Sequence, residues 1–257
     1  MRELWRRIQA SYKAIKYSYR ICKVLLLGQK YFASVRDGVY KDSAGNYLPW
    51  YTFPAIEALK NWDLSSKRVF EYSSGHSTLF WASRAKQVVS VEHNPVWFEN
   101  ISKLVPQNAQ VILSPITPKE GETDPTLETR EQLERYAESI RDFGIFDIIV
   151  IDGYEGFFLR HECARVALSQ LSANGLMIVD NSDWMPVTTR FLRDSGLIEV
   201  DFSGPKAGRD SCQTTSFFFA RQFDFEPAGD QQPLAPIGGR IYEWEAGLES
   251  AKTRGNP

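Results

Sequence analysis

Two hydrophobic periodicities divide the chain. Near its start, Trp5, Ile8, Tyr12, Ile15 and Tyr19 recur at alternating steps of three and four, which predicts one face of a helix with basic residues around it. From residue 67 short apolar runs take over: RVFEYS (68–73), QVVSVEH (87–93), QVILSP (110–115), FDIIVID (146–152) and GLMIVDN (175–181). Each is nearly continuous in Val, Ile, Leu and Phe, as a strand covered on both faces must be. Amphipathic stretches at 77–86, 95–104, 129–142 and 157–171 separate them. Strand and helix in alternation predict a mostly parallel sheet joined by right-handed crossovers.

The end of this region follows another rule. A helix predicted at 187–195 precedes two strand-like runs, GLIEVDFS (196–203) and TTSFFFARQ (214–222). The roughly ten residues between them are too few for a helical crossover, so the two pair as an antiparallel hairpin. The expected fold is α/β: a seven-stranded, mostly parallel sheet with helices on both faces, closed by a C-terminal antiparallel hairpin and preceded by a helical extension. The expected division is 1–64 as a helical and lid segment, 65–222 as the sheet domain and 223–257 as a tail. Within these, 36–54 reads as a loop or hairpin, Pro54 opens a short helix to Asn61, 115–125 is an irregular loop, and 241–250 forms a short helix docking back on the core.

Composition narrows the class. Of 257 residues, 43% are hydrophobic and 24% charged, which excludes a disordered chain and a collagen-like one. Three cysteines, Cys22, Cys163 and Cys212, lie far apart without a CxxC pair, which argues against a disulfide framework or a cysteine zinc site. No apolar run reaches the roughly 18 residues of a membrane span. The absence of a signal-type stretch makes a cytoplasmic location the expectation. The net charge of −2 conceals an asymmetry: residues 1–30 hold eight bases and one acid, so the other 227 residues carry −9. An acidic core argues against nucleic acid as a partner. The basic start reads first as a helix packing on the domain or on a second subunit, and alternatively as one lying on an anionic membrane surface.

Candidate chemistry is sought beyond the carboxyl ends of the strands, where open α/β sheets bind ligands. After the first strand stands Glu71-Tyr72-Ser73-Ser74-Gly75-His76-Ser77-Thr78, whose small residues let backbone approach a ligand and whose Ser77 or Thr78 suits a helix cap. After the second stands Glu92-His93-Asn94-Pro95, with a carboxylate suited to a ribose diol 17 residues beyond Gly75. After the fourth comes Asp152-Gly153-Tyr154, and after the fifth Asp180-Asn181.

This ordered set resembles the class I S-adenosylmethionine-dependent methyltransferases, in the O-methyltransferase-like pattern. VFEYSSGHSTLFWA is similar to their first motif, VVSVEHNP to their second, and FDIIVIDG and LMIVDN to their fourth and fifth strands. The resemblance spans roughly residues 65–222 and departs at the loop, where Ser73 and Ser74 stand at positions in which glycine is commoner. It implies S-adenosylmethionine held by Glu71, Ser73, Gly75, His76, Ser77, Glu92, His93 and Asp152, and a methyl group passed to an oxygen or nitrogen of a small molecule. Asp152 and His161 are the catalytic candidates, with Asp152 preferred because its place does not depend on helix phase. Asp152, Asp180 and Asn181 form an oxygen set suited to Mg²⁺, or else acidic strand ends that merely cap turns.

Other residues carry paired readings. Arg160 binds an anionic group or pairs with Glu155 or Glu162. Lys206 and Arg209 recognise an acidic substrate or ride on a solvated loop, the latter preferred. Trp50, Tyr51 and Phe53 lid the cofactor or anchor the N-terminal segment in the core. Two whole-protein alternatives stand beside the methyltransferase: an NAD-linked oxidoreductase, and a catalytically degenerate module docking through its basic N-terminal helix.

Overall fold

The computed structural model describes residues 1–42, 44–154, 156–230 and 233–239. The five apolar runs form β1 (Arg68–Tyr72), β2 (Gln87–Glu92), β3 (Ala109–Leu113), β4 (Phe146–Ile151) and β5 (Leu171–Asp180). The last two runs form β6 (Ile198–Pro205) and β7 (Cys212–Phe219). They assemble one sheet in the order β3-β2-β1-β4-β5-β7-β6. The first five strands are parallel, and β7 runs antiparallel to both β5 and β6. The expected hairpin is present, with its second strand inserted against β5 and its first on the edge.

Two helices, α1 (Arg2–Lys23) and α2 (Tyr31–Asp37), precede the sheet domain; α3 (Phe53–Leu59), α4 (His76–Ala82), α5 (Pro95–Ser102), α6 (Leu127–Glu138), α7 (Leu159–Ala167) and α8 (Pro186–Asp194) flank the sheet. Alternation along each strand decides which face a side chain meets. Phe70, Tyr72, Val89 and Ile149 pack with Leu133 and Tyr136 of α6, Leu159 and Cys163 of α7, and Leu192 of α8. Val69, Val88, Ile148 and Val150 pack on the other face with Phe53, Ile56 and Leu59 of α3 and Phe80 and Trp81 of α4. Burial on both faces explains why the parallel strands read as unbroken apolar runs.

Several expectations change here. The helix expected over 157–171 is shorter, and β5 begins at Leu171 rather than Gly175, the added residues pairing with β4 through a register shift between Phe146 and Ile148; at Gly175 a Cβ would sit 2.8 Å from the Asp147 carbonyl. Tyr51 and Phe53 are buried in the core, so they anchor the segment before β1, while Trp50 stays at the surface. No residue of α1 is buried, so packing on the domain is not its role in this chain. Among the described residues no helix is long and apolar enough to cross a membrane. The predicted helix at 241–250 lies outside the described residues.

Candidate active site at the strand switch point

The chain leaves β1 toward β2 and β3, then returns to β4 and β5 on the other side. The carboxyl ends of β1 and β4 therefore flank the point where strand order reverses, the general ligand position of open α/β sheets. Glu71, alternating with Val69, faces α4 and is fully buried. Its Oε2 accepts hydrogen bonds from Thr78 Oγ1 (2.7 Å) and Ser90 Oγ (2.9 Å), while its buried Oε1 has no hydrogen-bond partner. Burial raises the Glu71 carboxyl to about 7, against the opposing hydroxyls of Thr78 and Ser90.

The loop after β1 turns sharply at Ser73, whose φ of 128° lies in the region that favours glycine. Serine holds a glycine conformation there, so the unusual sequence keeps the expected bend. Across from it, Gly153 after β4 has φ 80°, and a Cβ would meet Ser73 Cβ at 3.0 Å and the Tyr72 carbonyl at 3.2 Å. The two loops thus touch at the switch point, and glycine is required on the β4 side. Gly75 starts α4, with its amide donating to Thr78 Oγ1 (3.0 Å), so Thr78 rather than Ser77 serves this turn. His76 is half-buried and stacked on Tyr47 at 4.7 Å. Burial, with Lys41 adding, lowers its basicity.

Glu92 ends β2 with 2% exposure and its carboxylate turned toward this loop. Oε2 accepts from the Ser74 amide (3.1 Å) and Ser74 Oγ (2.7 Å); Oε1 accepts from the Asn94 amide (2.8 Å) and has His93 Nδ1 at 3.2 Å. Burial alone would raise this carboxyl, but the adjacent His93 ring and the hydrogen bonds from Asn94 and Ser74 outweigh it and hold it below the ordinary glutamate range. Trp97, on the first turn of α5, donates its indole N–H to the Ser74 carbonyl (2.8 Å) and braces the loop from outside. The His93 ring lies edge-on to Tyr154 at 5.3 Å.

The proposed cation ligands come together, though not as a metal site. Asp152, 27% exposed, accepts from Arg160 Nη2 (3.0 Å), and Arg160 also donates to the carbonyls of Gly153 (2.6 Å) and Asp180 (3.2 Å). Asp180, 2% exposed, accepts from Lys206 Nζ (2.5 Å) and Thr215 Oγ1 (2.8 Å). With its amide oriented to satisfy its neighbours, Asn181 donates to Asp180 Oδ2 (3.0 Å) and accepts from Lys206 Nζ (3.1 Å). Two side-chain cations, Arg160 and Lys206, thus already meet the Asp152 and Asp180 carboxylates, so as folded this donor set does not fit Mg²⁺. Lys206 is likewise no solvated loop residue: it is 4% exposed and joins the β6–β7 turn to β5. Arg160 is a buried clamp between the β4 and β5 ends rather than a surface partner of Glu162.

Beside this clamp opens a cavity of about 730 Å³ lined by Phe157, Phe158, His161, Trp184, Met185 and Thr188. Phe157, Phe158 and Asn181, all on its wall, adopt left-handed backbone. His161 faces α8 with Nδ1 3.2 Å from Thr188 Oγ1 and its ring edge-on to Phe191. Sequence reading placed His161 near the substrate side but missed Trp184 and Met185, which follow the β5 acid in an otherwise unremarked turn. Trp97 and Thr215 were missed as well, and Lys206 was weighed only as a rim residue, because their roles depend on which loop folds back on which strand end.

No protein-family profile and no curated protein sequence matches the chain. Solved structures with a similar chain path include a precorrin-6y C5,15-methyltransferase from Geobacter metallireducens, 14% identical over 65% of this chain and 86% of that one, with a TM-score of 0.47. Another is a precorrin-8w decarboxylase from Methanobacterium thermoautotrophicum, 17% identical over 71% and 97%, TM-score 0.44. A third is a TehB-like S-adenosylmethionine-dependent methyltransferase from Corynebacterium glutamicum, 14% identical over 76% and 98%, TM-score 0.43. These are likenesses of chain path; the chemistry rests on the chain's own residues.

Proposed function

We propose that this chain is an S-adenosylmethionine-dependent methyltransferase acting on an oxygen or nitrogen of a small molecule. One observation carries the reading. Two buried carboxylates, Glu71 and Glu92, end adjacent parallel strands on either side of a loop that bends at Ser73 as glycine would, at the switch point of a sheet closed by an antiparallel β7. The buried Glu71 Oε1 without a partner suits a cationic ligand group, which is the charge this cofactor bears. Glu92 would hold the ribose, and the backbone of residues 73–75 would pass around the methionine part.

When bound, the cofactor supplies an electrophilic methyl group. The chain's residues supply alignment, which is the larger share of catalysis in such a displacement. Arg160 fixes the ends of β4 and β5 relative to each other, so Asp152 keeps its place at the mouth of the site. The cavity beside it takes the acceptor between aromatic walls. His161, oriented by Thr188, accepts the proton that the acceptor's hydroxyl or amine releases.

Isothermal calorimetry on the full chain tests this. S-adenosylhomocysteine should bind at one site per chain, NAD should not bind, and Glu92→Ala should weaken the first by roughly tenfold or more. Binding of NAD alone would favour an oxidoreductase, and binding of neither would favour a degenerate module.

A further inference from the structure

Helix α1 runs 22 residues, about 33 Å, with no buried residue. At 3.6 residues per turn, Leu4, Trp5, Ile8, Tyr12, Ile15 and Tyr19 fall within one sector about 100° wide. All six stand in solvent, from 53% exposed at Ile8 to 70% at Ile15. Lys16, Arg2, Arg20, Lys13 and Arg6 fill the neighbouring sector, so the stripe has a cationic border. The only acid of the helix, Glu3, is bonded to Arg7 at 3.4 Å. Leu26 and Leu27, just past the helix, are exposed too.

An apolar stripe of this size is not left in water without a partner. The helix is too polar to cross a bilayer. A second copy of itself is disfavoured by charge: α1 carries seven bases against one acid, and no acid lies beside the stripe to offset a facing copy. A phosphate polyanion would engage the bases and leave Leu4, Ile8 and Ile15 without a role. We propose that α1 lies in the plane of an anionic lipid surface, with Trp5, Ile8, Ile15 and Tyr19 in the acyl boundary and the basic border on the headgroups. The stripe and its border meet both demands of an interfacial helix at once. This inference is independent of the methyltransferase reading.

The test is co-sedimentation of the full chain with phosphatidylcholine vesicles and with vesicles in which one lipid in three is phosphatidylglycerol. The anionic vesicles should bind about tenfold or more tightly, and raised salt should abolish the difference. Ile8→Glu/Ile15→Glu should reduce binding by at least tenfold, and Lys13→Glu/Lys16→Glu should remove the preference for phosphatidylglycerol. Because α1 buries nothing, neither variant should shift the thermal unfolding midpoint, which separates lost docking from lost folding. Equal sedimentation with both vesicles, or full binding by the Ile8→Glu/Ile15→Glu variant, would overturn the proposal. So would a dimer in sedimentation equilibrium that this variant splits.

Discussion

Glu71 offers a perturbation whose size follows from its surroundings. Its folded value of about 7 stands above the ordinary 4.5 because burial disfavours the charge more than its hydroxyl partners favour it. A raised folded value means that the group contributes its stability below pH 4.5 and loses it as pH rises through 7. Each unit of separation corresponds to about 1.4 kcal/mol, so full ionisation costs about 3 kcal/mol. Glu71→Gln keeps the shape and the acceptor toward Thr78 and Ser90 but cannot ionise. Urea unfolding of wild type and variant at pH 5, 6, 7 and 8 should show the variant gaining on the wild type by about 2 to 3 kcal/mol across that range, with most of the gain between pH 5 and 7. A difference that stays flat with pH would mean that Glu71 ionises at its ordinary value, and the account of its burial would fail.

Further outcomes follow from neighbouring contacts. Ser73→Gly should stabilise the chain by about 1 kcal/mol by relieving a positive φ, read as a rise in urea midpoint; a loss of stability would show that the hydroxyl matters more than the bend. Gly153→Ala should cost about 2 kcal/mol or more, because its Cβ would press on Ser73 and the Tyr72 carbonyl at a φ of 80°. Lys206→Met should cost about 3 to 5 kcal/mol by stranding Asp180, and adding Asp180→Asn should recover part of that; an additive double variant would exclude the pair as a unit. Once an acceptor is found, His161→Ala should lower kcat by about a hundredfold or more while S-adenosylhomocysteine affinity holds, and an unchanged kcat would remove His161 as the proton acceptor.

Much of the architecture was legible because burial on both faces leaves a plain mark: the runs at 68–73, 87–93 and 146–152 are strands to within a residue of their read limits. The hairpin followed from loop length alone. Glu71, Gly75, Glu92 and Asp152 could be placed at the carboxyl ends of β1, β2 and β4 because strand ends are readable when strands are. What sequence could not show was which polar groups saturate one another. Asp180 and Asn181 read as free ligands because Lys206, 26 residues from Asp180, gives no local sign of folding back beneath them. The apolar stripe of α1 was equally plain, yet its periodicity is the same whether it meets a protein core or a lipid surface. The exposure of the folded helix shows only that it does not meet its own core.

The account's central claim is that the β1–β2 rim grips an adenosyl cofactor, and a crystal structure of the chain with S-adenosylhomocysteine tests it most directly. The ribose diol is predicted on Glu92, in place of the Ser74 hydroxyl that bonds it at 2.7 Å, with the amino-acid end against residues 73–75. Density for the ligand elsewhere, with Ser74 still closed on Glu92, would contradict it.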